Sequence, residues 1–263
     1  MTDNSAIARL REAGCVFAED EAQVIQSAAR TPQELDAMIG QRATGLPLEQ
    51  VVGWAEFCGL RVHVDPGVFV PRRRSEFLVE TAVTLAPAGT PPVLVDLCCG
   101  TGALGLAVAA KLGGTGQGGA EPHAADLDPA AVRCARRNVE PAGGHVYEGD
   151  LFAPLPAALR GRVTILICNA PYVPTTEIPL LPAEARDHEH HVALDGGADG
   201  LAVLRRAAAE APAWLAPGGR MLTETSERQS ALMADVMAAA GLAPDVYENE
   251  DFGSAVVTGT MPR

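Results

Sequence analysis

Lysine is almost missing from this chain: Lys111 is the only one among 263 residues. Lysine and arginine together number 20 against 33 aspartates and glutamates, a formal charge of −13. A protein that grips a phosphate backbone carries a basic face, because each neutralised phosphate adds affinity. The one dense basic run is Arg72-Arg73-Arg74, so a protein or small-molecule substrate fits better than nucleic acid. No apolar run reaches membrane-spanning length, although a hydrophobic content of 48% is ample for a buried core. The first residues lack the basic-then-apolar layout of a secretory leader. Cys15, Cys58, Cys98, Cys99, Cys134 and Cys168 show no paired metal-site spacing. They read as reduced thiols, which predicts a cytoplasmic protein. Asp187 to His191 has the composition of a metal cluster. It lacks a helical pair of histidines with a distant third ligand, so it reads as a solvated loop and no metal is expected.

What is present falls into two parts. Residues 5–52 read as short helices, with Thr31, Pro32 and Glu34 placed as the N-cap, first and third positions of one of them. Cys58 to Val70 alternates around Asp65-Pro66-Gly67, which predicts a β-hairpin. The expected organisation is therefore a small helical domain over 1–57, a hairpin linker over 58–70 and a main domain over 71–263. After Pro92, strands are expected at Val93–Leu97, Pro122–Asp126, His145–Glu148, Val163–Asn169 and Gly219–Glu224. Helices are expected between and after them at Ala103–Leu112, Pro129–Val139, Gly200–Leu215 and Glu227–Ala240. Such alternation implies an α/β fold, a mostly parallel sheet with helices on both faces. Two closing strands, 245–250 and 255–259, follow around Asp251-Phe252-Gly253, and Gly113–Gly119 is a loose loop.

Gly100, Gly102 and Gly105 satisfy the spacing of a dinucleotide-binding turn, with Asp126 some way downstream. A nicotinamide-dependent oxidoreductase therefore has to be weighed. Asp96, at the strand end before the turn, decides against it. A carboxylate there repels a pyrophosphate, whereas it accepts a bond from the ammonium of a methionine moiety. S-adenosylmethionine carries a sulfonium cation and no phosphate, so an acidic pocket suits it. Asp126 is placed to take ribose hydroxyls. Asp150 is placed to take an adenine amino group, with Leu151 or Phe152 against the ring. The plainer reading makes these aspartates helix caps or loop residues.

Asn169-Ala170-Pro171-Tyr172 stands at the end of the apolar run Val163 to Ile167. An amide nitrogen is a poor nucleophile, because its lone pair is delocalised into the carbonyl. The Asn169 oxygen and the Ala170 carbonyl can accept its two N–H bonds and aim the lone pair. Pro171 biases Ala170 to an extended conformation, and Tyr172 can pack on the planar group. Positioning is then the main catalytic resource. The two motifs together imply methyl transfer to nitrogen; the plain alternative is a β-turn with a core tyrosine. Trp54 and Phe57 read as packing at the domain junction, and Glu224 as structural.

In these motifs the chain resembles the HemK-type protein-(glutamine-N(5)) methyltransferases, which modify peptide chain release factors. The resemblance runs through Gly45–Phe57, Phe69–Val79, the cofactor turn, Asn169–Tyr172 and Ala193–Gly200. It implies a Rossmann-like class I S-adenosylmethionine-dependent methyltransferase fold, a seven-stranded mostly parallel sheet with a small N-terminal helical domain. It implies cofactor contacts from Asp96, Cys98, Gly100, Gly102, Asp126, Leu127, Asp150, Leu151 and Asn169. It implies a substrate site of Asn169, Ala170, Pro171, Tyr172, Arg72 and Glu76, with Asn169, Pro171 and Tyr172 catalytic and a protein as partner. Three departures stand out. Cys98 replaces the first glycine of the turn, Ala170 replaces a proline, and Arg73-Arg74 replace a proline–acid pair. A nucleic-acid exocyclic-amine methyltransferase is a competing reading, because the same acceptor geometry holds a flipped base. A cofactor-binding homologue without chemistry is another.

Overall fold

The computed structural model describes residues 4–87, 91–114, 119–249, 251 and 253–263. Residues 115–118 of the expected glycine-rich loop, and Glu250 and Phe252 near the expected closing turn, lie outside the described residues. Four helices come first: α1 (Asn4–Glu12), α2 (Ala18–Ala28), α3 (Pro32–Ala43) and α4 (Leu48–Val52). They enclose their own small core of Leu10, Ala18, Ala22, Ile25 and Ile39. The Thr31 hydroxyl accepts from the Glu34 N–H at 3.1 Å, while the Glu34 carboxylate accepts from Arg30 N at 2.8 Å. The first of these bonds satisfies a first-turn amide and the second ties the preceding residue to the helix, which together fix where α3 starts.

The hairpin lies one turn earlier than the sequence pattern suggests. Strands β1 (Trp54–Phe57) and β2 (Leu60–His63) pair antiparallel around Cys58-Gly59. Cys58 and Gly59 have φ of 50° and 76°, the two left-handed positions that match the twist of a two-residue hairpin. Asp65-Pro66-Gly67 makes a separate turn on the way out, with Val68 N donating to Asp65 O. A proline in that turn leaves only Gly67 left-handed, which does not suit a hairpin tip. As a result β1 falls inside the stretch assigned to the helical unit.

The main domain runs α5 (Glu76–Thr84), β3 (Val93–Leu97), α6 (Ala103–Lys111), β4 (Glu121–Asp126), α7 (Pro129–Val139), β5 (His145–Glu148) and β6 (Val163–Cys168). It continues with α8 (Ala183–His188), α9 (Ala202–Glu210), β7 (Leu215–Ser226), α10 (Glu227–Ala239), β8 (Ala243–Asn249) and β9 (Ser254–Thr260). These make a seven-stranded sheet in the order β5-β4-β3-β6-β7-β9-β8. Neighbours from β5 through β7 are parallel, and β9 is antiparallel to both β7 and β8. This is a Rossmann-like fold.

Every residue of β3 is buried, as a central parallel strand covered on both faces requires. Two apolar clusters, one centred on Leu166, Trp214 and Met233 and the other on Leu94, Val108 and Ile167, fill its two sides. Two expected bounds shift. Pro212 ends α9 early in a short 3-10 turn, and β7 begins at Leu215 with a register irregularity against β6.

Candidate active site

Outside the carboxyl ends of β3, β4 and β6 lies a cavity of about 360 Å³. It opens where the strand order reverses between β3 and β6, the usual place for a ligand in such sheets. Cys98, Gly100, Asp126, Leu127, Asp150 and Leu151 stand on one side of its wall, and Asn169, Ala170, Pro171, Tyr172 and Arg72 on the other.

The turn after β3 is held open by backbone conformations that side chains resist. Gly100 and Gly102 have φ of 55° and 76°, and Cys98 adopts 55° although it carries a Cβ. A non-glycine residue there is strained by roughly 1–2 kcal/mol. Gly100 N donates to Asp126 Oδ2 at 2.8 Å, and Asp128 N to Asp126 Oδ1 at 2.9 Å. Both oxygens of Asp126 are thereby aimed, each with a lone pair to spare, and burial pushes its pKa up. Gly102 is not on the wall: a Cβ there would stand 2.6 Å from Val139 Cγ2. Its smallness seats α6 against α7.

Asp96 is also displaced from its expected place. It is 1% exposed and absent from the cavity wall, one layer behind it. Its Oδ2 accepts from Gly105 N at 2.9 Å at the start of α6, and Oδ1 has no partner. Burial pushes its pKa up to about 7, with the Gly105 bond opposing and Asp126 adding to the rise. Strand alternation turns a side chain to one face or the other but does not say which face holds the ligand.

Asp150 stands on the wall half exposed, paired with Arg206 at 2.5 Å. Leu151 is buried with φ of 48°. Across the cavity, Asn169 Oδ1 is buried without a partner, while Nδ2 donates to Ser75 Oγ at 3.5 Å. Tyr172 O accepts from Gln229 Nε2 at 2.9 Å, and its hydroxyl donates to Glu224 Oε1 at 2.8 Å. A Cβ on Gly200 would come within 2.2 Å of Tyr172 O, so this loop rests directly on a bare backbone.

Glu76 does not join the site. Its carboxylate accepts from Cys58 N at 3.2 Å, tying α5 to the hairpin tip. Arg72 does line the cavity, but its guanidinium is engaged with Glu189 at 2.6 Å. Glu189 belongs to the segment read as a solvated loop, and its side chain is 0% exposed. Ionic pairing with Arg72 and a bond from Val70 N draw it inward. His190 of the same segment bonds Asp128 at 2.5 Å, so the stretch lies over the cavity as a strap. Among the described residues no group of three or more His, Cys, Asp or Glu is arranged to hold a metal ion. Nor is any described helix long and apolar enough to cross a membrane. Glu224, read from sequence as structural, is on the wall; nothing local in the sequence marks it.

The methyltransferase small domain family matches residues 59–180. A release factor glutamine methyltransferase of Geobacter sulfurreducens is 34% identical over 84% of this chain and 75% of its own length. Another, from Mycolicibacterium smegmatis, is 38% identical over 81% of this chain and 74% of its own. A third, from Bradyrhizobium diazoefficiens, is 33% identical over 95% and 86% respectively. Among solved structures, a methyltransferase from Pyrococcus furiosus superposes with a TM-score of 0.58 at 14% identity, covering 85% of this chain and all of that one. A 16S rRNA methyltransferase of T. thermophilus gives 0.54 at 21% identity, covering 79% of this chain and 49% of that one. These likenesses bear on the fold.

Proposed function

The chain belongs to the release factor glutamine methyltransferase family, and on that premise we propose that it methylates a glutamine amide nitrogen of a peptide chain release factor. The methyl donor is S-adenosylmethionine, which when bound supplies a methyl carbon made electrophilic by its sulfonium. The cavity suits such a ligand. Asp126 and Asp150 give it acidic walls, Asp96 adds a buried oxygen without a partner behind the turn, and Leu127 and Leu151 add apolar surface. In this reading Cys98, Gly100, Asp126, Leu127, Asp150 and Leu151 hold the cofactor, and Asp96 and Gly102 shape the turn from behind.

One observation carries the acceptor assignment: Asn169 stands on the cavity wall, and its side-chain oxygen Oδ1 is buried without a partner. An unpartnered buried acceptor costs about 1–3 kcal/mol unless a donor arrives, and a glutamine NH2 group is such a donor. Asn169 and the Ala170 carbonyl take its two N–H bonds, Pro171 shapes the turn and Tyr172 walls the slot. Orientation of this kind can supply up to ~7–11 kcal/mol of barrier lowering. The helical unit at the N-terminus docks the substrate protein. Glu184, on the cavity rim, pairs with Arg42 of α3 at 2.5 Å, which sets those helices beside the entrance. The nucleic-acid alternative loses ground because Arg72 and Arg74 spend their charge on Glu189 and Glu224. A cytoplasmic setting belongs to the same reading, supported by six free thiols.

The direct test is incubation with labelled cofactor and a purified release factor, followed by peptide mass spectrometry. A methylated glutamine is expected. Label appearing in RNA or DNA and not in protein would discard the reading.

A further inference from the structure

Glu224 is a buried carboxylate to which the chemistry above assigns no task. It projects from β7 just past the level at which Ile167 and Leu222 pair, so it stands beside the end of β6 and the acceptor loop. Its side chain is 2% exposed. One oxygen, Oε1, accepts from the Tyr172 hydroxyl at 2.8 Å and from Arg74 Nε at 2.9 Å. Arg74 also stands over the Tyr172 ring, with Cζ 5.6 Å from the centroid.

An enclosed carboxylate is costly unless a cation and hydrogen bonds offset its lost hydration. Arg74 supplies that cation from a half-exposed position, so Oε1 is held by cation and phenol together while Oε2 has no partner. Tyr172 is then held at both ends, its carbonyl by Gln229 and its hydroxyl by Glu224. The neighbouring Ser75 hydroxyl meets Asn169 Nδ2 at 3.5 Å. One short turn, Arg73–Ser75, therefore braces both side chains of the acceptor slot.

We propose that Glu224, clamped by Arg74, is the positioning residue that fixes the Tyr172 ring as the wall of the glutamine slot. It acts through Tyr172 and does not touch the substrate. This rests on the acceptor-site reading given above.

The test is a double-mutant cycle on methyl transfer to the release factor, using Glu224→Gln, Tyr172→Phe and the pair together. Each single change should lower kcat/KM for the protein substrate by roughly tenfold to a hundredfold. Cofactor affinity by calorimetry should stay at the wild-type value. The pair should be no worse than Tyr172→Phe alone, because Glu224→Gln weakens, and Tyr172→Phe removes, the same bond between phenol and side-chain oxygen. Arg74→Met should move the same parameter in the same direction by less. Should Glu224→Gln fail to fold, Arg74→Met with Tyr172→Phe forms an equivalent cycle. Additive losses, or wild-type kinetics in Glu224→Gln, would overturn the inference while leaving the acceptor reading intact. A wild-type protein that binds cofactor yet methylates no glutamine would overturn both.

Discussion

Replacing Asp96 by asparagine should make this protein more stable above neutral pH. The carboxyl is 1% exposed, and burial lifts its pKa from 3.8 to about 7. In the unfolded chain it ionises near its ordinary value, so between those two points the folded state binds the extra proton. Its contribution is fully present below the lower value and is lost as pH rises through the upper one. At 1.36 kcal/mol for each tenfold change in proton activity, that loss amounts to about 4 kcal/mol. Asparagine has no such titration. It can keep an oxygen for Gly105 N, but its NH2 group then fills the place of an oxygen without a partner. An unsatisfied buried amide costs roughly 1–3 kcal/mol at every pH. The variant should therefore be weaker than wild type near pH 4 and stronger above about pH 7, the difference climbing by up to about 4 kcal/mol. Urea unfolding at a series of pH values measures this, provided the slope with denaturant matches in the two proteins. A difference that stays flat with pH would refute the buried, uncompensated carboxyl.

Other substitutions probe the acceptor side and the turn. Asn169→Ala should cut methyl transfer by roughly a hundredfold or more in single-turnover assays, while unfolding curves stay close to wild type. Gly200→Ala places a Cβ 2.2 Å from Tyr172 O at a φ of 80°. It should cost roughly 2–4 kcal/mol in unfolding free energy, from left-handed strain plus overpacking, with activity falling alongside. Cys98 sits at φ 55°, so Cys98→Gly should be more stable than Cys98→Ala by roughly 1 kcal/mol. Alanine as the more stable of the two in paired thermal melts would show that the turn relaxes without strain.

Much of the sheet was legible because local chemistry punctuates it. Asp128 caps α7, its Oδ1 accepting from Ala130 N at 2.8 Å, and Pro129 takes the first helical position. The apolar runs of β3 and β6, interrupted only by Asp96 and Thr164, match strands covered on both sides. Asn169 and Tyr172 were legible as a motif, and both stand on the cavity wall. The partners of the site were not. Arg72 meets Glu189 across 117 residues and Arg74 meets Glu224 across 150. Nothing within a short window of sequence distinguishes such carboxylates from solvated ones. Asp96 was placed on the correct strand end but one layer too near the ligand, because alternation gives a parity and not a depth.

The strap over the cavity has a mechanical consequence. Glu184 ties it to α3 through Arg42, Glu189 to the stretch before α5 through Arg72 and Val70, and His190 to the start of α7 through Asp128. It is thus a bridge with one abutment on the N-terminal helices and another beside the carboxylate loop after β4. Any tilt of α3 pulls on the same span that roofs the chamber. On the docking reading proposed above, a visiting protein that leans on those helices would change the headroom over its own glutamine, with no need for the sheet beneath to move.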